Sequence, residues 1–357
     1  MLLKKLTELN GVSGSEEEVR DFIKAEAAQY ADEIRIDSIG NLIVFKKGIN
    51  QTDVLAKHKI MLSAHMDEVG LMVIGYGENG TIKFKDIGGV LERILPGKRV
   101  FVGEKKIPGV IGCKTIHLQE KEERQNNFKM KNLYIDIGAE KKEEAEKLAP
   151  LGEYIAFDSE YIEFGEDCIK ARALDDRVGC AVMLEALKGE YTFDLYACFT
   201  VQEEVGLRGA EVAAFQIEPD IALILEGTTC SDVPDVEEYD YSTLLGGGAA
   251  LTIMDRTSYC DRNLVSFIHD LAKKKSVSVQ FKKTTTGGND AGRIQRSRSG
   301  VKVASISVPC RYIHSPVSVM SRKDFDSVRN ITRLVLDELS SKPGVIETIK
   351  NGGSINV

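Results

Sequence analysis

The sequence predicts an α/β protein with a smaller β-rich unit, a barrel or sandwich, inserted into it. Three observations carry this. Helix-periodic segments alternate with apolar strand-like runs at both ends of the chain. Between residues 69 and 161 the alternation gives way to short β-type runs separated by glycine-bearing turns. Outside that stretch, apolar run after apolar run ends in a histidine or a carboxylate. The expected division is residues 1–68 with 162–357 for the α/β part and 69–161 for the insertion; 357 residues are enough for both.

Residues 2–10 have helical spacing, and Ser15-Glu-Glu-Glu18 reads as a capping box opening a helix to about residue 30. Runs 34–37 and 41–45 are short strands, and the apolar run from Lys59 leads into His65-Met-Asp67. In the insertion, strands are expected at 70–76, 81–87, 99–102, 106–111 and 133–137, with one helix at 141–148. The charge-mixed stretch 119–131 lacks periodicity and reads as a loop, with His117 beside it a surface residue. Strands are then expected at 193–201, 221–225, 249–254, 277–281 and 301–308, and helices at 178–187, 208–215, 262–274 and 324–339.

Composition narrows the function. Hydrophobic residues at 43% and charged residues at 29% describe an ordinary globular protein. A net charge of −8 argues against nucleic acid or an anionic membrane as partner. The start lacks a signal peptide's apolar core, no segment is apolar for long enough to span a bilayer, and the seven scattered cysteines include no CxxC pair. Cytoplasmic residence and a small or peptidic ligand are therefore expected.

The chemistry gathers at strand ends. Glu203-Glu204 closes the run 193–201, and two successive carboxylates there call for a compensating cation. Neighbours on an extended chain point apart, so one is free to bind a cation and the other to act as a base. His65 and Asp67, two apart, face one way, and the aspartate is placed to orient the imidazole. Asp176 suits an N-cap for the following helix, which leaves Asp175 as the stronger ligand candidate. Glu226 stands just past the run 221–225, with Asp232 a rival, and His314 follows the run 301–308. In open α/β sheets ligands bind outside the carboxyl ends of the strands. Histidines mixed with carboxylates suit zinc, cobalt or manganese better than calcium or magnesium.

Four motifs, Ser63-Ala-His65-Met-Asp67-Glu-Val-Gly70, Ala173-Leu-Asp175-Asp176-Arg177, Gln202-Glu203-Glu204-Val-Gly206-Leu-Arg-Gly209 and Tyr312-Ile-His314-Ser-Pro316, together resemble the dinuclear metallo-aminopeptidases of the tetrahedral, glutamyl-aminopeptidase type. Many members of that family have been labelled endoglucanase or cellulase. The resemblance covers nearly the whole chain. It implies two divalent ions per subunit, zinc or cobalt first and manganese third, bridged by Asp175. One ion would be completed by His65 and Glu226, the other by Glu204 and His314. It further implies Glu203 as general base, Asp67 as the group orienting His65, a cis peptide between Asp175 and Asp176, short peptide substrates and a homo-dodecamer. Two positions depart from the family pattern: Glu226, where many relatives carry aspartate, and Asn289 in the loop 286–291, where many carry threonine. That loop and the glycines at 246–248 are expected on the substrate side.

Other readings are a related dinuclear carboxypeptidase or deacylase and a metal-stabilised peptide-binding scaffold. A glycosidase is disfavoured, because the adjacent Glu203 and Glu204 diverge and the chain has no tryptophan to stack on sugar rings.

Overall fold

A computed structural model describes residues 2–49 and 58–355; residues 1, 50–57 and 356–357 of the expected α/β span lie outside the described residues. Helices Leu2–Glu8 and Glu17–Ala27 lead into strands β1 (Glu33–Ile36), β2 (Leu42–Lys46) and β3 (Lys59–His65). Six strands follow: β4 (Gly70–Tyr76), β5 (Ile82–Ile87), β6 (Arg99–Val102), β7 (Ile107–Gly112), β8 (Tyr134–Asp136) and β9 (Tyr154–Phe157). They close into a barrel in the order β4-β5-β8-β7-β6-β9. The remaining strands are β10 (Ile162–Phe164), β11 (Cys168–Ala171), β12 (Asp194–Thr200), β13 (Ile221–Thr229), β14 (Ala249–Thr252), β15 (Val279–Phe281), β16 (Lys302–Arg311) and β17 (Ser318–Ser321).

The large sheet runs β1-β2-β12-β3-β13-β16-β17-β11-β10, with β14 on β16 and β15 beyond it. Its centre, β12-β3-β13-β16, is parallel throughout. Both faces are covered. Leu42, Val44, Ile60, Leu62 and Ala64 pack with helices Leu174–Ala186 and Arg322–Ser341, while Ile43, Met61, Cys198, Ala222 and Ile224 pack with helix Arg208–Ile217 and the turn Ala291–Ile294. Alternate residues of one strand thus enter different cores, which is why these runs are apolar without alternation. The barrel has its own core, with Leu71, Val73, Phe84, Ile111, Ile135, Ile155 and Phe157 at its centre.

Four local expectations need correction. Tyr154–Phe157 was not expected as a strand, yet β9 pairs with both β4 and β6 and closes the barrel. The stretch 119–131 contains a short helix, Lys121–Gln125, and a 3₁₀ turn, Met130–Asn132. The capping box does not form. Glu16 instead accepts hydrogen bonds from the amides of Gly14 (2.7 Å) and Gln202 (3.2 Å). Burial, with Asp67 nearby, lifts its carboxyl to about 7. Finally, β13 runs on to Thr229, so Glu226 lies within the strand rather than past its end.

The glycine loop at 246–248 is held from below by Asp324, whose carboxylate accepts from the amides of Gly246 and Gly248, each at 2.7 Å. Burial nonetheless raises that carboxyl to about 6. A folded pKa above the unfolded value means that the native chain keeps a proton the unfolded chain has released. The contribution to stability is therefore present below about pH 4 and is lost as pH rises through about 6. The expected loss is on the order of 2 kcal/mol. Urea unfolding at pH 4.5 and 7.5 checks this: Asp324→Asn removes that share of the pH dependence, and an identical slope in the variant contradicts the assignment.

Candidate active site and metal centre

The parallel centre of the sheet brings the predicted residues to one edge. His65 is the last residue of β3; Glu203 and Glu204 follow β12 after a turn in which Gln202 adopts a positive φ of 56°. Glu226 projects from β13, and His314 stands beyond β16, also at positive φ. Asp175 comes from the first turn of the helix behind the sheet, where residues 175 and 176 leave helical geometry and their peptide bond is cis.

His65 Nε2 lies 3.3 Å from Asp175 Oδ1, 3.2 Å from Glu226 Oε1 and 4.0 Å from Glu203 Oε2. His314 Nε2 lies 3.2 Å from Glu204 Oε2 and 3.8 Å from Asp175 Oδ2. The two oxygens of Asp175 thus face two different histidines. Donor atoms of His65, Asp175 and Glu204 fall within 4.8 Å of one another, as do those of His65, Asp176 and Glu226. Asp176 is already engaged: its oxygens accept from the amides of Gly179 (2.9 Å) and His65 (3.2 Å), so it caps the helix as its sequence position suggested. Asp232 is held elsewhere by a two-point pair with Arg311 at 2.7 and 2.9 Å.

The electrostatics are those of a surplus of buried carboxyls. Burial, together with neighbouring acids, pushes Glu203, Glu204 and Glu226 well above the ordinary carboxylate range. Burial opposes charge on His65, but Glu226, Asp175 and Asp67 outweigh it and hold the imidazole well above its usual value. Glu226 Oε1 is buried without a hydrogen bond. Buried acids with an orphaned oxygen and two imidazoles are the donor set that divalent cations satisfy.

Asp67 plays a broader part than orienting one ring. His65 Nδ1 lies 3.0 Å from the backbone carbonyl of Asp67 and 3.5 Å from its carboxylate. The carboxylate itself accepts from the amides of Glu203 (2.9 Å) and Glu204 (3.1 Å) and from Ser13 Oγ (2.6 Å). Burial works against its charge, but His65, Ser13 and the Glu203 amide prevail and lower its pKa. It anchors the Glu203-Glu204 turn against the end of β3.

With this arrangement in view, comparison with known families is decisive: the M42 glutamyl aminopeptidase model matches residues 40–331. The chain belongs to the M42 glutamyl aminopeptidase family. It is accordingly an aminopeptidase, a hydrolase of peptide bonds. The lysyl aminopeptidase of Pyrococcus furiosus is 33% identical over 346 residues, covering 95% of this chain and 96% of that one. Among solved structures, an aminopeptidase from Desulfurococcus kamchatkensis superposes with a TM-score of 0.91 at 37% identity, covering 98% of this chain and 96% of that one. The TET1 peptidase of Pyrococcus horikoshii, described as assembling into a tetrahedron or a large octahedral shell, gives 0.81 at 33% identity, with coverage of 94% and 98%.

In this M42 chain the site opens into a cavity of 740 Å³ lined by the metal-site candidates, residues 286–289 and the Tyr312–His314 turn. Three features were not legible beforehand. Gly227 lies so close to Asp175 that an added Cβ would sit 3.0 Å from its Cα, so β13 and the helix can meet only through glycine. Asp290 is buried beneath the site and accepts from Ser63 Oγ (3.0 Å) and Thr200 Oγ1 (2.7 Å). Arg256 and Lys282 reach the cavity from loops that carry no periodic or motif signal.

Proposed function

We propose that this protein is a dinuclear metal-dependent aminopeptidase that removes N-terminal residues from short peptides. The observation that carries the reading is Asp175, whose two oxygens face His65 and His314 at 3.3 and 3.8 Å, with Glu203 opening into the same cavity. Asp175 would be shared between two divalent ions, one held also by His65 and Glu226 and the other by Glu204 and His314. Such ions, zinc, cobalt or manganese, supply Lewis acidity toward the scissile carbonyl and make water acidic enough to react near neutral pH. Glu203 takes the proton from the attacking water at a carboxylate oxygen and returns it to the leaving amine nitrogen. Asp67 fixes the backbone from which Glu203 and Glu204 project, and the carbonyl of Asp67 fixes the His65 ring.

The experiment is a panel of aminoacyl p-nitroanilides, with free and N-blocked α-amines, assayed across zinc, cobalt and manganese. Free amines release p-nitroaniline and blocked ones do not; loss of the N-acyl group from the blocked substrates without release of p-nitroaniline, read by mass spectrometry, identifies a deacylase. Exhaustive chelation followed by dialysis reduces turnover by at least about 10³-fold, and adding back one of the three ions restores it. Turnover that survives chelation, with metal analysis confirming removal, refutes the reading.

A homo-dodecamer is part of the same proposal, supported by the shell-forming TET1 relative and by exposed apolar residues on the barrel side such as Leu91, Ile116 and Leu118. Light scattering tests it. Cytoplasmic residence is proposed alongside; among the described residues no helix is long and apolar enough to cross a membrane.

A further inference from the structure

Three successive backbone amides, on the turn that carries Glu203 and Glu204, end on side-chain carboxylates. The Gln202 amide donates to Glu16 Oε1 at 3.2 Å, the Glu203 amide to Asp67 Oδ1 at 2.9 Å and the Glu204 amide to Asp67 Oδ2 at 3.1 Å. Gln202 stands at a φ of 56°, a left-handed conformation that a residue with a side chain keeps only when its surroundings hold it there. Consecutive amides turned inward in this way make a concavity for an anion, and here the chain fills it with its own acids.

Glu16 reaches the turn from far away in sequence, and it is 3% exposed. The segment leading to it is stitched alongside the end of β3. Val12 forms a parallel bridge with Glu68, the Ser13 amide donates to the Glu68 carbonyl at 3.2 Å, and Ser13 Oγ donates to Asp67 at 2.6 Å. Glu16 Oε1 also accepts from the Gly14 amide at 2.7 Å, so a single oxygen ties this segment to residue 202.

We infer that Glu16 is a positioning residue for the reaction: by holding the Gln202 amide it fixes the turn from which Glu203 faces the cavity. The inference rests on the dinuclear aminopeptidase reading above, in which Glu203 handles the proton. Asp67 grips the turn only at residues 203 and 204. Without an acceptor for the preceding amide, the left-handed residue is free to relax, and the Glu203 side chain turns with the peptide beneath it. That carboxylate comes no nearer to His65 than 4.0 Å, so the backbone sets its direction. A displacement of about 1 Å is enough to cost about 10²-fold in turnover. The task asks for an acceptor rather than a charge. Burial lifts the Glu16 carboxyl to about 7, so both of its forms occur near neutrality, and each keeps an oxygen able to accept from Gly14 and Gln202.

The test uses the full-length protein, metal-loaded for kinetics with a free-amine aminoacyl p-nitroanilide and metal-free for hydrogen exchange. Glu16→Ala is expected to lower kcat by at least about tenfold while KM stays within about twofold. Glu16→Gln keeps the accepting oxygen and is expected to stay within about threefold of wild type in kcat. Glu16→Asp withdraws the carboxyl by one methylene and is expected to lose at least about tenfold. Aspartate suits the start of the helix Glu17–Ala27, so this variant carries the test should the alanine variant fail to fold. Glu17→Ala, at an exposed neighbour, leaves turnover unchanged. In metal-free protein the amides of residues 202–204 are expected to exchange at least about tenfold faster in the alanine and aspartate variants than in wild type or Glu16→Gln, with β3 and β12 unaltered. Wild-type turnover accompanied by smaller losses in both variants, a Glu16→Gln protein as slow as Glu16→Ala, or exchange that rises equally along the whole chain overturns this inference and leaves the aminopeptidase reading intact. No turnover of any aminoacyl substrate by the wild-type protein with zinc, cobalt or manganese overturns both.

Discussion

Glu203→Gln is expected to retain its metal and its fold while losing about 10²–10⁴-fold in kcat. The amide has the shape of the carboxylate but cannot take a proton from water, so the substitution isolates proton transfer. Glu203 is the candidate for that task because its charge has no structural employment. Its amide is bound by Asp67 at 2.9 Å, but its carboxylate comes no nearer to His65 than 4.0 Å. Burial, reinforced by Glu226 and Glu204, holds the carboxyl well above the ordinary range, the direction expected of a group that accepts and returns a proton. Glu204 is the control. Its Oε2 lies 3.2 Å from His314 Nε2, so Glu204→Gln is expected to reduce metal content and turnover together. Metal analysis beside steady-state kinetics separates the two, and a Glu203→Gln protein with most of its peptidase activity removes the base assignment.

How far the site could be read in the sequence follows from where its parts lie. His65, Glu203 and Glu204 stand at the ends of largely buried apolar runs, and a charged group at such a terminus is visible because the surrounding pattern gives it no other reason to be there. Glu226 was visible for the same reason but misplaced. An acid inside a strand looks like the end of one, and only its neighbours at the site explain why β13 carries it. Spacing alone pairs Asp67 with one ring, because sequence does not show the fold-back of residues 203 and 204 onto its carboxylate. Arg256, Lys282 and Gly227 were invisible: their significance depends on which loop or helix arrives opposite them, and that is decided by long-range packing. In the barrel, Tyr154–Phe157 has too little alternation to mark a strand until β4 and β6 pair with it on either side.

Arg177→Met is expected to destabilise the protein by about 3–5 kcal/mol, measured as a lowered urea midpoint at unchanged m-value. The side chain is fully buried, beside the cis-linked acidic pair. Its guanidinium donates to the carbonyls of Leu6 (3.1 Å), Leu9 (3.4 Å) and Met66, and pairs with Glu68 at 3.3 Å. Arg172, also buried, shares Glu68 at 3.1 Å and donates to the Leu9 carbonyl at 2.7 Å. Methionine fills much of the volume but strips the Leu6 and Met66 carbonyls of a charged donor and leaves Glu68 with one arginine rather than two. Arg177→Lys restores charge without the planar fork, so it recovers only part of the loss. The position matters to catalysis because Met66 lies between His65 and Asp67. A guanidinium that ties the first helix to the Met66 carbonyl also braces the strand end from which the candidate ligand His65 and its neighbour Asp67 project. The methionine variant should therefore bind metal more weakly at temperatures where it remains folded, a readout that global destabilisation alone does not produce. A midpoint within about 0.5 kcal/mol of wild type would show that the buried arginine pair is dispensable and that the neighbouring backbone holds the site without it.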